Sequence, residues 1–458
     1  MKLQNTLGRQ TEDFKPASDT EVKLYTCGPT VYDYPTIGNM RSFVFDDTLR
    51  RALQYFGYNV KHVMNITDVG HLVSDEDEGE DKLEKGAARE KKSAREVADF
   101  YTQAFLEDAK NLNILEPNGY NGPRGAYAFA TDFIDEQIEL VKLLMKKSFA
   151  YQSEQAIYFD VSKLNDYGKL SGQKLSDKEI AARAEVVTDQ AKRNPQDFAL
   201  WFFTVGRFEN HSLKWDSPWG EGFPGWHLEC SAIVHKTLGE PIDIHTGGVD
   251  HIGTHHTNEI AQSEAAYGSP LANYWLHNEH LLVDGQKMSK SLGNYYTLKD
   301  ITNKGFEPLD LRVIFLQSHY RSQSNFTWEG LEAAAAFHDS LRSWGELRFQ
   351  KSATIHETDL EAVADAISDD LNTPKALAIL AGLGGVPSAE VLKKIDAIFG
   401  LKLTSIKDID DESKQLIEKR QSARQNNDWQ AADDLRDELE RRGIEIDDTP
   451  EGPVWHRV

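Results

Sequence analysis

Apolar positions along the chain follow two rhythms. A short β-like run carries Val22 and Leu24, and from residue 43 to 55 apolar side chains recur at helical spacing. Between them lies YTCGPTVYDYPTIGN, residues 25–39, with a Gly-Pro turn, an aromatic cluster and the small-residue sequence Thr36-Ile37-Gly38-Asn39. The unit reads as strand, phosphate-sized loop, helix. Residues 60–66 (VKHVMNI) form a second strand candidate closed by Thr67-Asp68, which makes Asp68 and His71 site candidates by position. Residues 82–115 and 126–147 are helical, apolar on one face and charged on the other. From about 149 to 216 the character changes: strand-like pieces at 156–161, Gly and Ser turns, a charged segment at 183–193 and an aromatic run at 198–203. This predicts a small mixed domain inserted into a larger α/β domain. After residue 299 the chain reads as helices at 310–317, 331–347, 360–367, 374–382, 391–399 and 413–425, followed by a small unit ending near Trp455.

Composition narrows the class. A chain of 458 residues with 40% apolar side chains is too long for one core and splits into two to four domains. The N-terminus is polar and no run approaches the roughly eighteen apolar residues a membrane span needs, so the expectation is a cytoplasmic protein with no membrane partner. A net charge of −23 excludes a general nucleic-acid coater; any nucleic-acid partner is held by a local basic patch. The acidic cluster at 75–81 reads as solvated. The two cysteines, Cys27 and Cys230, lean towards metal or catalysis in so large an intracellular chain.

Two later segments carry chemistry. Residues 225–231 (GWHLECS) open a helix, and residues 243–250 (DIHTGGVD) run into HIGTHHTNE at 251–259. His255 and Glu259 are four apart, on one helix face. With Cys27 and Cys230 they form a thiolate, thiolate, imidazole, carboxylate set suited to tetrahedral zinc, with Zn–S near ~2.3 Å and Zn–N near ~2.0 Å. In this reading His251 or His256 can substitute for a ligand. Residues 287–291 read KMSKS, flanked by Gly285 and Gly293. Two lysines three apart on a glycine-flanked loop can place two ammonium groups on a polyphosphate.

At this point the chain resembles a known family. KMSKS is the signature loop of class I aminoacyl-tRNA synthetases, and Thr36 to Asn39 sits where their first signature, HIGH, belongs. CGPTVYDY, WHLECSA and HHTNEIAQS look like cysteinyl-tRNA synthetases specifically, as do NTLGRQ, RNPQDFALW, HYRSQSNFT and the terminal TPEGPVWHRV. The resemblance implies a Rossmann-type parallel-sheet catalytic domain in two halves, 1–120 and 216–282, interrupted by a connective insertion at 121–215. A stem-contact segment with the lysine loop (283–335), a tRNA-binding helical bundle (336–405) and a small mixed anticodon-binding module (406–458) follow. It further implies one zinc per chain on Cys27, Cys230, His255 and Glu259, and cysteine near Thr67, Trp226 and Cys27. ATP with magnesium falls on Gly38, Asn39, Lys287, Lys290, Gly247 and Asp250, with Lys287, Lys290, Thr36 and Asn39 catalytic. The partners implied are L-cysteine, ATP and tRNA(Cys), and the enzyme a monomer that forms cysteinyl-adenylate and then charges the tRNA. Arg420, Arg424, Arg436, Arg441 and Arg442 can meet phosphates, and Trp429 or Trp455 can stack on an anticodon base.

The sequence departs from the family pattern in places. Thr36 replaces the first His of HIGH and brings no imidazolium. Gly70-His71 replaces the usual acidic pair, and His71 is expected to take part of the missing role. Thr246, His251 and Gly253-Thr254 replace the commoner glycine, apolar and Phe-Pro residues, which alters hydrogen bonding beside the ligands. Two other functions stand beside the synthetase: a ligase passing activated cysteine to an amino sugar, and a catalytically silent zinc-containing RNA-binding paralogue.

Overall fold

The computed structural model describes residues 1–69, 81–172 and 192–457. Gly70-His71, residues 75–80 of the acidic cluster and most of the charged segment at 183–193 lie outside the described residues. Runs that are apolar on both faces form the central sheet. Its five parallel strands lie in the order Ala272–Asn278, Ile242–Gly248, Val22–Thr26, Val60–Ile66, Ala128–Phe129. Nearly every residue of Val60–Ile66 and Ile242–Gly248 is buried, as parallel strands covered on both faces require. From Val22–Thr26 the chain passes through the helix Ile37–Tyr55 to Val60–Ile66 on one side, and later adds Ile242–Gly248 on the other. That reversal puts the topological switch point, and the crevice beyond the strand ends, between Val22–Thr26 and Ile242–Gly248.

The inserted region holds a four-stranded antiparallel sheet in the order Ala150–Gln152, Ala156–Phe159, Phe198–Phe203, Gly222–Pro224. Phe159 and Phe198 stack at 5.0 Å, and Trp201 is fully buried among Leu140, Leu200 and Leu228, which joins this sheet to the main domain. Two expected helices come out differently. Residues 82–115 form two helices, Lys82–Glu90 and Ala94–Asn111, because Lys91 turns left-handed (φ 56°) and Ser93 opens a new capping box with Glu96. Residues 126–147 start with the edge strand Ala128–Phe129 and a short 3₁₀ turn before the helix Ile134–Lys146, since pairing with Asn65 and Ile66 wins over local helix propensity.

The C-terminal third is helical, from Trp328–Leu347 through Ala389–Phe399 to Asp411–Gln425. The helix Trp429–Arg441 is not legible in the sequence, because only Ala432 and Leu439 are buried on it. It packs with the antiparallel hairpin Ile444–Thr449 and Gly452–Arg457 around Ile446 and Trp455. One apolar cluster runs without a break from Leu24 and Leu49 of the sheet domain to Leu377 and Phe399 of the bundle.

A buried charge network crosses that junction. Arg312, on the helix Pro308–Leu316, is fully buried and donates from Nε to Phe399 O (2.6 Å), from Nη1 to Leu112 O (2.9 Å) and from Nη2 to Asp47. Asp47, on Ile37–Tyr55, also takes Arg51 Nε at 2.7 Å and Leu115 N at 2.9 Å. Burial alone would raise its pKa, but Arg312 and Arg51 outweigh it and hold the carboxyl below its usual range. Removing one partner of such a pair leaves a buried charge uncompensated. Arg312→Ala is therefore expected to lose about 3–5 kcal/mol in urea unfolding at neutral pH.

Candidate active site

One cavity of about 560 Å³ opens at the carboxyl ends of the sheet, large enough for a nucleotide and a small amino acid. Cys27 follows Val22–Thr26, Thr67 follows Val60–Ile66, and Gly247 ends Ile242–Gly248; all three line it, with Thr36, Gly38, Asn39, Trp226, Cys230, Asp250, His255 and Lys287. Two glycines are required here by close approach. A Cβ on Gly28 would lie 1.7 Å from Asn65 O, and one on Gly247 would lie 2.6 Å from His251 Nδ1 and 2.7 Å from His256 Cε1.

The ligand-type side chains predicted from sequence converge. Donor atoms of Cys27, Cys230, His255 and Glu259 all lie within 4.8 Å of one another, and all four residues are buried. Both cysteines are free. The helix Trp226–Thr237 carries Cys230, and His255–Tyr267 carries the other pair one turn apart. His255 Nε2 lies 2.7 Å from Glu259 Oε1, yet that oxygen has no aligned hydrogen bond: the two atoms face a common point rather than each other. The donor set and this convergence fit a zinc ion. A second group, Cys27, His245, His256 and Glu259, meets the same distance limit. Its imidazoles are committed elsewhere. His245 Nε2 binds Glu259 Oε2 at 2.7 Å, and His256 lies between His277 Nε2 (2.8 Å) and Cys27 Sγ (3.4 Å).

The electrostatics match a site built around anions. Burial raises the Glu259 pKa, but His245 and His255 outweigh it and hold the carboxyl far below its usual range. Burial opposes the charge on His255, while Glu259 and Cys230 bring its pKa up to about 10. Burial and the neighbouring Cys230 push the Cys27 thiol well up, whereas Cys230, despite its burial, falls to about 6 through its hydrogen bond with Cys27 and the nearby His255. His227 Nδ1 meets His255 Nδ1 at 3.0 Å, and the Trp226 ring stacks on His255 at 4.0 Å; together they fix that imidazole.

Thr36 is the N-cap of Ile37–Tyr55. Its hydroxyl donates to Asn39 Oδ1 (2.7 Å) and accepts from Asn39 N (3.1 Å), while Thr36 N also donates to Asn39 Oδ1 (2.9 Å). Thr36 and Asn39 thus close a capping box on each other. Lys287 lines the cavity; Lys290 sits at its rim, its ammonium on Asp33 Oδ2 and 4.9 Å from the Tyr295 ring. Asp68 is not free for a ligand: it accepts from Arg124 Nη1 (2.8 Å), Thr131 N (2.9 Å) and Thr131 Oγ1 (2.6 Å). His71 falls outside the described residues.

Several site residues escape sequence reasoning. His245 and His277 stand on buried strands, where a histidine in an apolar run is the only signal. Asp46 breaks the apolar face of its helix; its Oδ1 accepts from Thr246 Oγ1 at 2.6 Å, which gives the unusual Thr246 a partner. In the C-terminal module the arginines face acids: Arg420 and Arg424 hold Asp448, Arg436 holds Glu440, Arg441 holds Glu438, and Arg442 holds Glu412 and Glu438. Trp429 is 56% exposed and keeps a free face for stacking, whereas Trp455 is 5% exposed and packed in the module core.

The fold and the signature loop define a class I aminoacyl-tRNA synthetase. Residues 13–336 match the family described as tRNA synthetases class I (C) catalytic domain, and residues 407–455 match the cysteinyl-tRNA ligase anticodon binding domain. The chain belongs to the cysteinyl-tRNA synthetase family. It is 44% identical over 500 residues to the cysteine–tRNA ligase of Treponema denticola, with 100% of both chains covered. It is 43% identical to that of Chlamydia felis, with 98% of this chain and 96% of the relative covered. Among solved structures, Mycobacterium tuberculosis methionyl-tRNA synthetase in complex with methionyl-adenylate aligns over 88% of this chain and 84% of its own at a TM-score of 0.54 and 14% identity, a likeness of fold alone. These relationships do not favour an amino-sugar ligase or a silent paralogue.

Asp46 yields a pH prediction. Burial raises its pKa to about 8, against about 3.9 unfolded, so the native state favours the protonated form. Its contribution is complete below pH ~4 and is lost as pH rises towards 8. Asp46→Asn keeps an oxygen to accept from Thr246 and cannot ionise. Urea unfolding at pH 5 and pH 8 is expected to show a smaller loss for the variant than for the wild type, by at least about 1.4 kcal/mol, one pKa unit.

Proposed function

We propose that this chain activates L-cysteine with ATP, giving cysteinyl-adenylate and pyrophosphate, and then passes the cysteine to the terminal ribose of tRNA(Cys). The observation that carries the reading is that the buried Cys27, Cys230, His255, Glu259 cluster, the N-terminus of Ile37–Tyr55 and Lys287 share one cavity. Cys27, Cys230, His255 and Glu259 would hold zinc, and zinc there supplies a soft acceptor for a thiolate, a group that serine lacks. Thr67 and Trp226 bind the rest of the amino acid.

The chain's own residues do the remaining work by positioning and by neutralising charge. The cysteine carboxylate attacks the α-phosphate, so no protein nucleophile is required. Gly247 permits close approach of the nucleotide to the strand end, and Asp250 offers a carboxylate to its hydroxyls. The capped helix keeps its positive end at the cavity, with Gly38 allowing the phosphates near. Thr36 and Asn39 serve that end by holding its first turn. Lys287 meets the phosphates, and Lys290 leaves Asp33 for them when ATP, with its magnesium, is bound. Trp429 offers a stacking surface to an unpaired base of the tRNA. The proposal includes the six-segment division given above and a cytoplasmic, monomeric enzyme; among the described residues no helix is long and apolar enough to cross a membrane.

The test is ATP–pyrophosphate exchange on metal-analysed protein, with cysteine, serine and then tRNA. Exchange with cysteine alone, followed by charging, is expected; a folded, zinc-loaded protein without exchange would overturn the reading. Lys290→Ala is expected to slow exchange by about 10²–10³-fold, the usual effect of removing one transition-state contact. Cys230→Ser should lose zinc in metal analysis and cysteine-dependent exchange with it.

A further inference from the structure

The Thr67 hydroxyl carries one proton, and its neighbours take it. Thr67 Oγ1 donates to Glu229 Oε2 at 2.8 Å and accepts from Asn65 Nδ2 at 3.2 Å. The Asn65 amide is oriented in turn, because its Oδ1 accepts from Gly28 N at 2.8 Å. A hydroxyl has one donor and two acceptor positions. With the proton and one lone pair committed, Thr67 can offer a ligand in the cavity only its second lone pair. It therefore meets a group that donates.

Glu229 deepens that polarity. It is fully buried, its Oε1 has no hydrogen-bond partner, and among the described residues no lysine or arginine pairs with it. A buried carboxylate without a cation is costly and survives where something compensates it. Thr67 is the one side chain that joins this carboxylate to the cavity by a hydrogen bond, beside Trp226 and Cys230. A cation resting on Thr67 would be one hydroxyl away from the unpaired acid.

Resting on the ligase reading, we propose that Glu229 is a positioning residue that acts through Thr67, with Asn65, to set this wall of the pocket to accept the α-ammonium of the amino-acid substrate. The thiol end is recognised by the cysteine, histidine and glutamate cluster; the amino end is recognised by the polarity that Glu229 imposes. Two thiol ligands separate these ends. Cysteamine has the thiol and the ammonium without the carboxylate, and 3-mercaptopropionate has the thiol and the carboxylate without the ammonium.

The test is calorimetric binding of L-cysteine, cysteamine and 3-mercaptopropionate to the full zinc-analysed chain, wild type and Glu229→Gln. Gln keeps the shape and removes the charge. Cysteine and cysteamine are expected to bind about tenfold or more weakly to the variant, while 3-mercaptopropionate changes less than twofold. Equal weakening of all three, with or without loss of zinc, overturns the proposal, as does unchanged cysteine binding. Thr67→Val supplies the second variant: because Glu229 acts through this hydroxyl, the double variant should bind cysteine no worse than Thr67→Val alone, and additive losses overturn the idea. Cysteine-dependent pyrophosphate exchange by the wild type is scored apart. Its absence would sink the ligase reading, while the binding comparison would still decide the role of Glu229.

Discussion

The Arg312–Asp47 pair is the constraint from which the rest of the architecture follows. Arg312 reaches three separate parts of the chain: Asp47 on the first crossover helix, the Leu112 carbonyl after Ala94–Asn111, and the Phe399 carbonyl at the end of the bundle. Each partner satisfies a donor that has no access to water. A guanidinium at 0% exposure leaves little freedom in how these elements meet, since a shift that broke one bond would strand a charge in an apolar core. The fixed guanidinium geometry thereby orients the helix Ile37–Tyr55, and that helix presents its N-terminus to the cavity.

Two adjacent carboxylates on this helix do opposite things. Asp47 faces two arginines and stays ionised; Asp46, one residue earlier, turns towards the sheet, meets only the Thr246 hydroxyl, and is pushed up by burial. Successive helix positions point about 100° apart, so one dipeptide serves both the junction with the bundle and the floor of the cavity. Beyond it the site concentrates acceptors: two sulfurs, Glu259 and Glu229, answered by histidines held in fixed orientations by His227, His277 and the Trp226 ring. That excess of buried acceptor atoms is what gives the pocket affinity for cations of more than one kind.

The family, the order of the main elements and the convergence of Cys27, Cys230, His255 and Glu259 were legible from motifs, because a thiol or an imidazole at a strand or helix end is chemically conspicuous. Less legible were elements whose local pattern is faint. Trp429–Arg441 buries two residues and has no apolar stripe to read, and Ala128–Phe129 is a strand only because Asn65 and Ile66 pair with it. Trp455 and Trp429 look equivalent as letters; one is a core residue and the other an exposed platform.

By itself the sequence determined the residue types that chemistry requires and the local rhythms that make strands and helices, since periodicity, caps and signature loops act over a few residues. Tertiary structure alone decided which groups share a proton or a charge. Thr36 became a helix cap rather than a free hydroxyl, Lys290 came to rest on Asp33, Thr246 found Asp46, and Glu229 was placed behind Thr67. Hydrogen bonds and desolvation act over a few ångströms in space between residues as many as 257 positions apart, and no linear pattern records them.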